Sequence, residues 1–467
     1  MNSPSALVAA TPTTRDRYVD FLRVFSIGVV VVGHWLMAVV EDGPGGIRAG
    51  NALAAAPAAQ YLTWLFQVMP LFFFVGGFAH ATGVRSVAAR GGGYADFVRA
   101  RVERLLRPTA VFLAAWVVVA IALELTGHQD GIGKLASRTV VQPLWFVGVY
   151  LGVVALAPAM YRWHRRHGAA VPVVLLAAAV GVDVLRFGAG IEAIGVLNMA
   201  FVWLAAHQFG FLYADGVLTR RTGAYLAVSG LAAVVILTVA TRLYPVSMVG
   251  LPGERFSNMN PPTVALAAHT VWLVGVALLV RGPITRWLDS PRTWTAVVAA
   301  NGVVMTTFLW HLTALFAGHA VVLAAGLPRP AIGSAAWWLS RPVWIALLAL
   351  ACAALVSLFR WAEAPRRAAV TGGGAVGIAA LATAATCVGI LGLALTGLDG
   401  LVAGRTTTLV VVPMTAVAGL VLVAGGWALH GRGLTLSALE AQCSFRGRPN
   451  APTTDRRHRC DRPSSVG

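Results

Sequence analysis

Apolar residues in this chain run in long blocks, without the alternating or three-to-four spacing of an element that keeps one face wet. A block of about 17–25 such residues is the length that crosses a bilayer as a helix. Twelve blocks qualify, at about 18–40, 60–80, 108–124, 143–160, 171–187, 193–213, 223–241, 262–280, 294–320, 338–358, 372–397 and 407–428. The first alone resembles an export signal, but eleven more behind it make it a resident helix. The pattern predicts an all-α, polytopic membrane protein. Within it, Pro70 and the Gly76-Gly77 pair mark the second block as a place for a break or a close helix contact. The stretch FVRARVERLLRP, 97–108, predicts a short interfacial helix, with Pro108 opening the third span.

Composition agrees: 58% of residues are hydrophobic and 12% charged, where soluble domains carry roughly 25% charge. Cys352, Cys387, Cys443 and Cys460 are too scattered to form a disulfide framework. Cys443, His458 and Cys460 lack the paired spacing of a zinc site and no HExxH occurs, so no metal is expected. A net charge of +18 would suggest nucleic acid for a soluble protein. Placement argues otherwise. Of 36 Lys and Arg, 26 fall in connections on one side of the membrane and 9 on the other, with Arg23 inside the first span. The positive-inside rule then sets both termini in the cytoplasm, with anionic lipid or a phosphorylated ligand as counter-charge and no nucleic acid as partner. The expected organisation is a cytoplasmic segment 1–17, a membrane domain 18–360, a two-helix membrane hairpin 361–428 after WAEAPRRAAVTGGG, and a basic cytoplasmic tail 429–467.

Charge within a membrane helix is costly and points to function. The first span reads YVDFLRVFSIGVVVVGHW. Arg23 and His34 are 11 residues apart, which returns to within about 20° of one face and advances about 16 Å. They form one stripe, with Gly28 and Gly33 beside it to admit another helix or a thin ligand. The plainer reading pairs Arg23 with Asp20 and a lipid phosphate, and gives His34 one interhelical hydrogen bond. Arg99, Arg101, Arg104 and Arg107 supply guanidinium forks suited to phosphate, of a ligand or of lipid. His80 reads as solvated or capping, and His207, His269, His311 and His319 show no metal spacing. Asp183 and Arg186 stand where they can neutralise one another, and RFSNMNPPT, 255–263, fits a rigid lip at the mouth of a substrate site or, nearly as well, an ordinary connecting loop.

Taken together, the segments resemble the membrane-bound acyltransferase 3 family: Arg23 and His34 in the first span, PLFFFVGGF at 70–78, ERLLRP at 103–108, PLWF at 143–146 and FLWH at 308–311. The resemblance covers about 16–360, a ten-helix core followed here by two additional C-terminal helices. A glycine pair stands where serine-glycine is more usual, and no soluble esterase-like domain is attached. The resemblance implies an acyltransferase of the cell membrane, with His34 and Arg23 catalytic and Arg99, Arg101, Arg104 and Arg107 handling acyl-CoA, taken as acetyl-CoA. It implies no tightly bound cofactor, and an exported acceptor that is a carbohydrate or lipid-linked, besides membrane lipid itself. The chemistry fits: acyl transfer to a hydroxyl needs a base, oxyanion stabilisation and orientation of both substrates. A histidine that itself carries the acyl group is the other path. The alternative function is a secondary transporter of a small anionic or acylated metabolite, which should show paired halves; spans one to six do not visibly repeat in seven to twelve.

Overall fold

The computed structural model describes residues 15–43, 46–127, 131–364 and 375–430. Most of the expected terminal segments, with Cys443, His458 and Cys460, lie outside them. Eleven helices among the described residues are long and apolar enough to cross a membrane. The twelfth expected span is shorter, Ala416–His430, because the β-branched run before it pairs as a hairpin, Thr406–Leu409 with Val412–Thr415. A second hairpin, β1 (Ala38–Gly43) with β2 (Gly46–Asn51), follows the first helix. The chain is otherwise a helical, multi-spanning membrane protein.

The first helix, α1 (Arg17–Met37), begins at Asp16, whose carboxylate accepts from the amides of Tyr18 at 3.0 Å and Val19 at 3.1 Å. The second expected span breaks at Gln67 and Val68, ahead of Pro70. Helix α2 (Met69–Ala89) carries that proline in its first turn, where a missing N–H costs nothing. Helix α3 (Tyr94–Leu125) departs from expectation: the arginine segment and the third span are one helix with Pro108 inside it. The proline leaves its ladder short of one donor, and beside it the Thr109 hydroxyl donates to the Leu105 carbonyl at 2.8 Å. Then come α4 (Leu144–His167), α5 (Ala170–Asp183), α6 (Asn198–Ala214), α7 (Arg220–Val235) and α8 (Val264–Trp287). The expected span 294–320 is two helices, α9 (Pro291–Asn301) and α10 (Val304–Ala324), parted at Gly302 and Val303. The Glu363 carboxylate caps α10, accepting from the amides of Met305 at 3.1 Å and Thr306 at 2.9 Å. After α11 (Ala335–Phe359), α12 (Val376–Thr396) and α13 (Ala416–His430) complete the bundle.

Contacts between connections sort them onto two ends. At one end Tyr213 donates to Asp16 at 2.9 Å, and Asp215 receives both Arg85 and His164. At the other, the Glu124 carboxylate accepts from the amides of Leu401 at 2.6 Å and Val402 at 2.8 Å, and the Leu398 amide donates to the Ser137 carbonyl at 2.9 Å. Helix α12 docks on α4, where Leu391 fills the space beside Gly148 and the Cys387 thiol donates to the Gly148 carbonyl at 3.1 Å.

Some sequence readings change. Asp183 and Arg186 do not pair directly: Arg186 donates to Glu192 at 3.0 Å, while Asp183 accepts from Asn198, Tyr244 and the Val264 amide, tying α5, α6 and α8. Asn258 is buried and spent on Pro245, Ser247 and Thr263, so it braces the 255–263 loop from within. Gly28 faces open space on the side of α1 shared with exposed Phe25, and Gly33 has only Met37 of its own helix nearby. Close approach occurs elsewhere, between α2 and α6. A Cβ on Gly77 would lie 1.9 Å from the His207 carbonyl oxygen, and one on Gly210 2.1 Å from that of Phe74. Gly77→Ala should therefore force the helices apart at a cost of about 1–3 kcal/mol and lower the thermal midpoint of the purified protein. Gly28→Ala should leave it unchanged, and equal midpoints for the two variants would contradict the packing.

Candidate active site

The broken span places the site. Because α9 ends at Asn301 and α10 starts afresh at Val304, this one segment meets α1 at two depths. At the first, Arg23 reaches Asp20 and the Asn301 side-chain oxygen, each at 3.5 Å. The Asn301 amide donates to the Asp20 carbonyl at 3.2 Å and to that of Val297 at 3.1 Å, which fixes its orientation. Arg15 shares the Asp20 carboxylate. At the second depth His34 meets His311, Nδ1 to Nε2, at 3.0 Å with rings nearly parallel. The stripe on α1 is thus present, both of its members facing 301–311.

The protons of the histidine pair follow from one carbonyl. His311 Nδ1 lies 2.5 Å from the Phe308 carbonyl oxygen, which only accepts, so that nitrogen carries hydrogen. In a neutral ring Nε2 of His311 is then a lone pair, and it accepts from His34 Nδ1–H. His34 Nε2 is left with its own lone pair and has no hydrogen-bond partner among the described residues. Trp35 donates from Nε1 to the His311 carbonyl at 2.9 Å, locking α1 to α10 at this level. The arrangement offers a base of fixed tautomer backed by a buried acceptor, as in the histidine of a nucleophile–base–orienter set.

The arginines of α3 separate. Arg101 runs over the face of Phe97, 3.8 Å to the ring centre, and donates to the Ala79 carbonyl at 3.4 Å. It lies against Gly83, where a Cβ would fall 1.5 Å from its terminal nitrogen. Arg101, Arg104 and Arg23 all lie within electrostatic reach of the Tyr150 hydroxyl. Arg107 instead donates to the Ala364 carbonyl at 3.3 Å beside Trp361. Arg99 is buried within electrostatic reach of His430 at the end of α13, and one of its terminal nitrogens has no hydrogen-bond partner among the described residues. Two of the four guanidinium groups therefore join Arg23 in one basic cluster, and two turn to other neighbours.

Two features went unread in the sequence. His311 stood inside FLWH, yet its pairing with His34 depends on the break at 302–303, which apolar run length conceals. His80 is buried, not solvated: its Nδ1 lies 2.9 Å from His207 Nε2, and its Nε2 3.3 Å from the Tyr150 hydroxyl. Among the described residues no group of three or more His, Cys, Asp or Glu is placed to hold a metal.

Comparison with known proteins returns one finding. The model of a family described as an acyltransferase domain, acyltransferase 3, matches residues 16–361. That is well over half of the chain and includes every helix from α1 to α11. No curated protein and no solved structure matches. The match takes in the histidine pair and the arginine cluster and ends before α12, and by it the chain belongs to the acyltransferase 3 family, as a multi-spanning membrane enzyme of acyl transfer.

Proposed function

We propose that the protein is an O-acyltransferase that moves an acetyl or other short acyl group from acyl-CoA at the cytoplasmic face to a hydroxyl of a sugar, envelope glycan or lipid-linked acceptor. The observation that carries this reading is the hydrogen-bond chain from the Phe308 carbonyl through His311 to His34. An acceptor O–H placed at His34 Nε2 gives up its proton as the oxygen attacks the thioester carbonyl. The tetrahedral adduct collapses, the C–S bond breaks, and the departing thiolate takes the proton from the His34 imidazolium. His311 is a positioning residue, accepting from His34 Nδ1–H throughout. Arg23, Arg101 and Arg104 hold the phosphates of the donor, whose pantetheine arm runs along α1 towards His34; Arg107 braces α3 against the Ala364 carbonyl. Both termini are cytoplasmic and the membrane is the plasma membrane, a reading supported by the excess of arginine at one end of the bundle.

With acyl-CoA hydrolysis or acyl exchange by the purified protein as the assay, His34→Gln keeps bulk and hydrogen bonding but forfeits the proton. It should lower turnover roughly 10²–10⁴-fold with CoA binding intact; near-normal turnover would remove His34 from the chemistry. Arg101→Ala and Arg104→Ala should each raise the KM for donor about tenfold or more, the scale of one charged hydrogen bond. An unchanged KM in the double variant would leave those arginines to lipid. Cysteines introduced at Ser3 and Gly467 should both be labelled from the cytoplasm, and labelling from opposite sides would overturn the proposed topology.

A further inference from the structure

Beside the basic cluster lies a second set of protonatable groups that the proposed chemistry does not use. His80 of α2 and His207 of α6 are 2% and 0% exposed, and Tyr150 of α4 closes the chain. Three helices thus contribute to one polar thread, and α2 is shaped to admit it. A Cβ on Gly76 would fall 2.9 Å from the Tyr150 ring, and one on Gly77 1.9 Å from the His207 carbonyl oxygen. The same helix makes room for Arg101 at Gly83. Arg23 and Arg101 act electrostatically on His80 as well as on Tyr150. Among the described residues Arg101 has no carboxylate partner; Asp20, shared by Arg15 and Arg23, is the carboxylate bonded to the group, and Glu363 lies within electrostatic reach of Arg104, so three guanidinium groups beside one tyrosine hydroxyl and a histidine pair face two carboxylates.

The direction of the thread follows from its far end. His207 Nδ1 is buried and has no hydrogen-bond partner among the described residues. Were the hydrogen on that nitrogen, it would be an orphaned buried N–H, the rarer and costlier kind of unsatisfied group. With a lone pair there, His207 carries its hydrogen on Nε2 and donates to His80 Nδ1; His80 in turn donates from Nε2 to the Tyr150 oxygen. The tyrosine hydrogen is then free, held among three arginines with an acceptor yet to meet.

We propose that Tyr150 is a donor-binding residue, its hydroxyl hydrogen-bonding an anionic phosphate oxygen of the acyl donor amid Arg23, Arg101 and Arg104, with His80 and His207 as positioning residues that fix its direction. This rests on the acyl-CoA reading above. Its level is right for that end of the donor: Tyr150 lies one turn along α4 from Phe146, which packs against Phe308 at 5.5 Å, beside His311. Ring contacts thus link Tyr150 to the histidine pair, while its hydroxyl lies within electrostatic reach of the arginines.

The test measures CoA binding directly and KM and kcat for two donors, acyl-CoA and the corresponding acyl-pantetheine, which lacks phosphate. Tyr150→Phe should weaken CoA binding and raise the acyl-CoA KM roughly tenfold, leave kcat within about twofold, and leave acyl-pantetheine unaffected. His80→Leu should reproduce that pattern. His80→Gln, whose side-chain amide still donates at the ε position, should restore it, which loss of packing alone does not explain. If CoA does not bind the unsubstituted protein, the donor reading falls and this proposal with it. If CoA binds and Tyr150→Phe changes nothing, or weakens both donors equally, the proposal alone is overturned.

Discussion

A single backbone carbonyl, that of Phe308, governs the polar interior around which the helices are arranged. Inside a bilayer there is no water to reorient a ring or to satisfy a stray donor, so each hydrogen bond must be settled by the protein. The carbonyl cannot donate. By that fact alone it fixes the tautomer of His311, through it that of His34, and so the nitrogen at which a base is available. Trp35 adds a second bond to the same helix, making ring and backbone of His311 one unit with α1. Take away the break at Gly302 and Val303 and neither Asn301 nor His311 would face its present partner, since one straight helix cannot follow α1 at two depths while turning its ends to different neighbours.

Charge is arranged with similar economy. Arg23 is half-buried, where an unpaired guanidinium would be costly, and Asp20 meets it one turn earlier with Asn301 bridging. Asp20 is shared with Arg15, so its neutralisation of Arg23 is partial. Arg101 has no carboxylate among the described residues and instead lies over Phe97 and against the Ala79 carbonyl. Arg104 of the same cluster lies within electrostatic reach of Glu363, whose carboxylate is spent on the amides of Met305 and Thr306, so the positive charge of the cluster is only partly balanced from within.

What the sequence conveyed, and what it hid, divides along the range of the interactions involved. Run length located most of the spans, because it follows from the bilayer alone. The stripe of Arg23 and His34 was legible because it lies on one helix and needs only the helical repeat. Pairings between helices were not. Nothing local distinguishes His80 and His207, 127 residues apart, from histidines that merely satisfy a turn. The arginine segment was read as a separate short helix for a related reason: Pro108 reads as a boundary in water, whereas within a bundle the ladder runs through it. The last span was begun too early because TTTLVVV is apolar enough for a helix yet β-branched enough to pair with itself.

The glycine pair at 76–77 shows how little sequence such long-range geometry needs. In the related pattern the first of these positions is more usually serine. The structure gives the departure a steric meaning: a side chain at 76 would run into the Tyr150 ring, and one at 77 into the backbone of α6. Removing two Cβ atoms lets α4 and α6 approach α2 together, and only then are a tyrosine, two histidines and an arginine brought within reach of one another. The polar residues supply the chemistry, but it is the absence of side chains on α2 that brings them together. A bulky residue at either position would scatter the cluster while leaving every hydrogen-bonding group in the sequence intact.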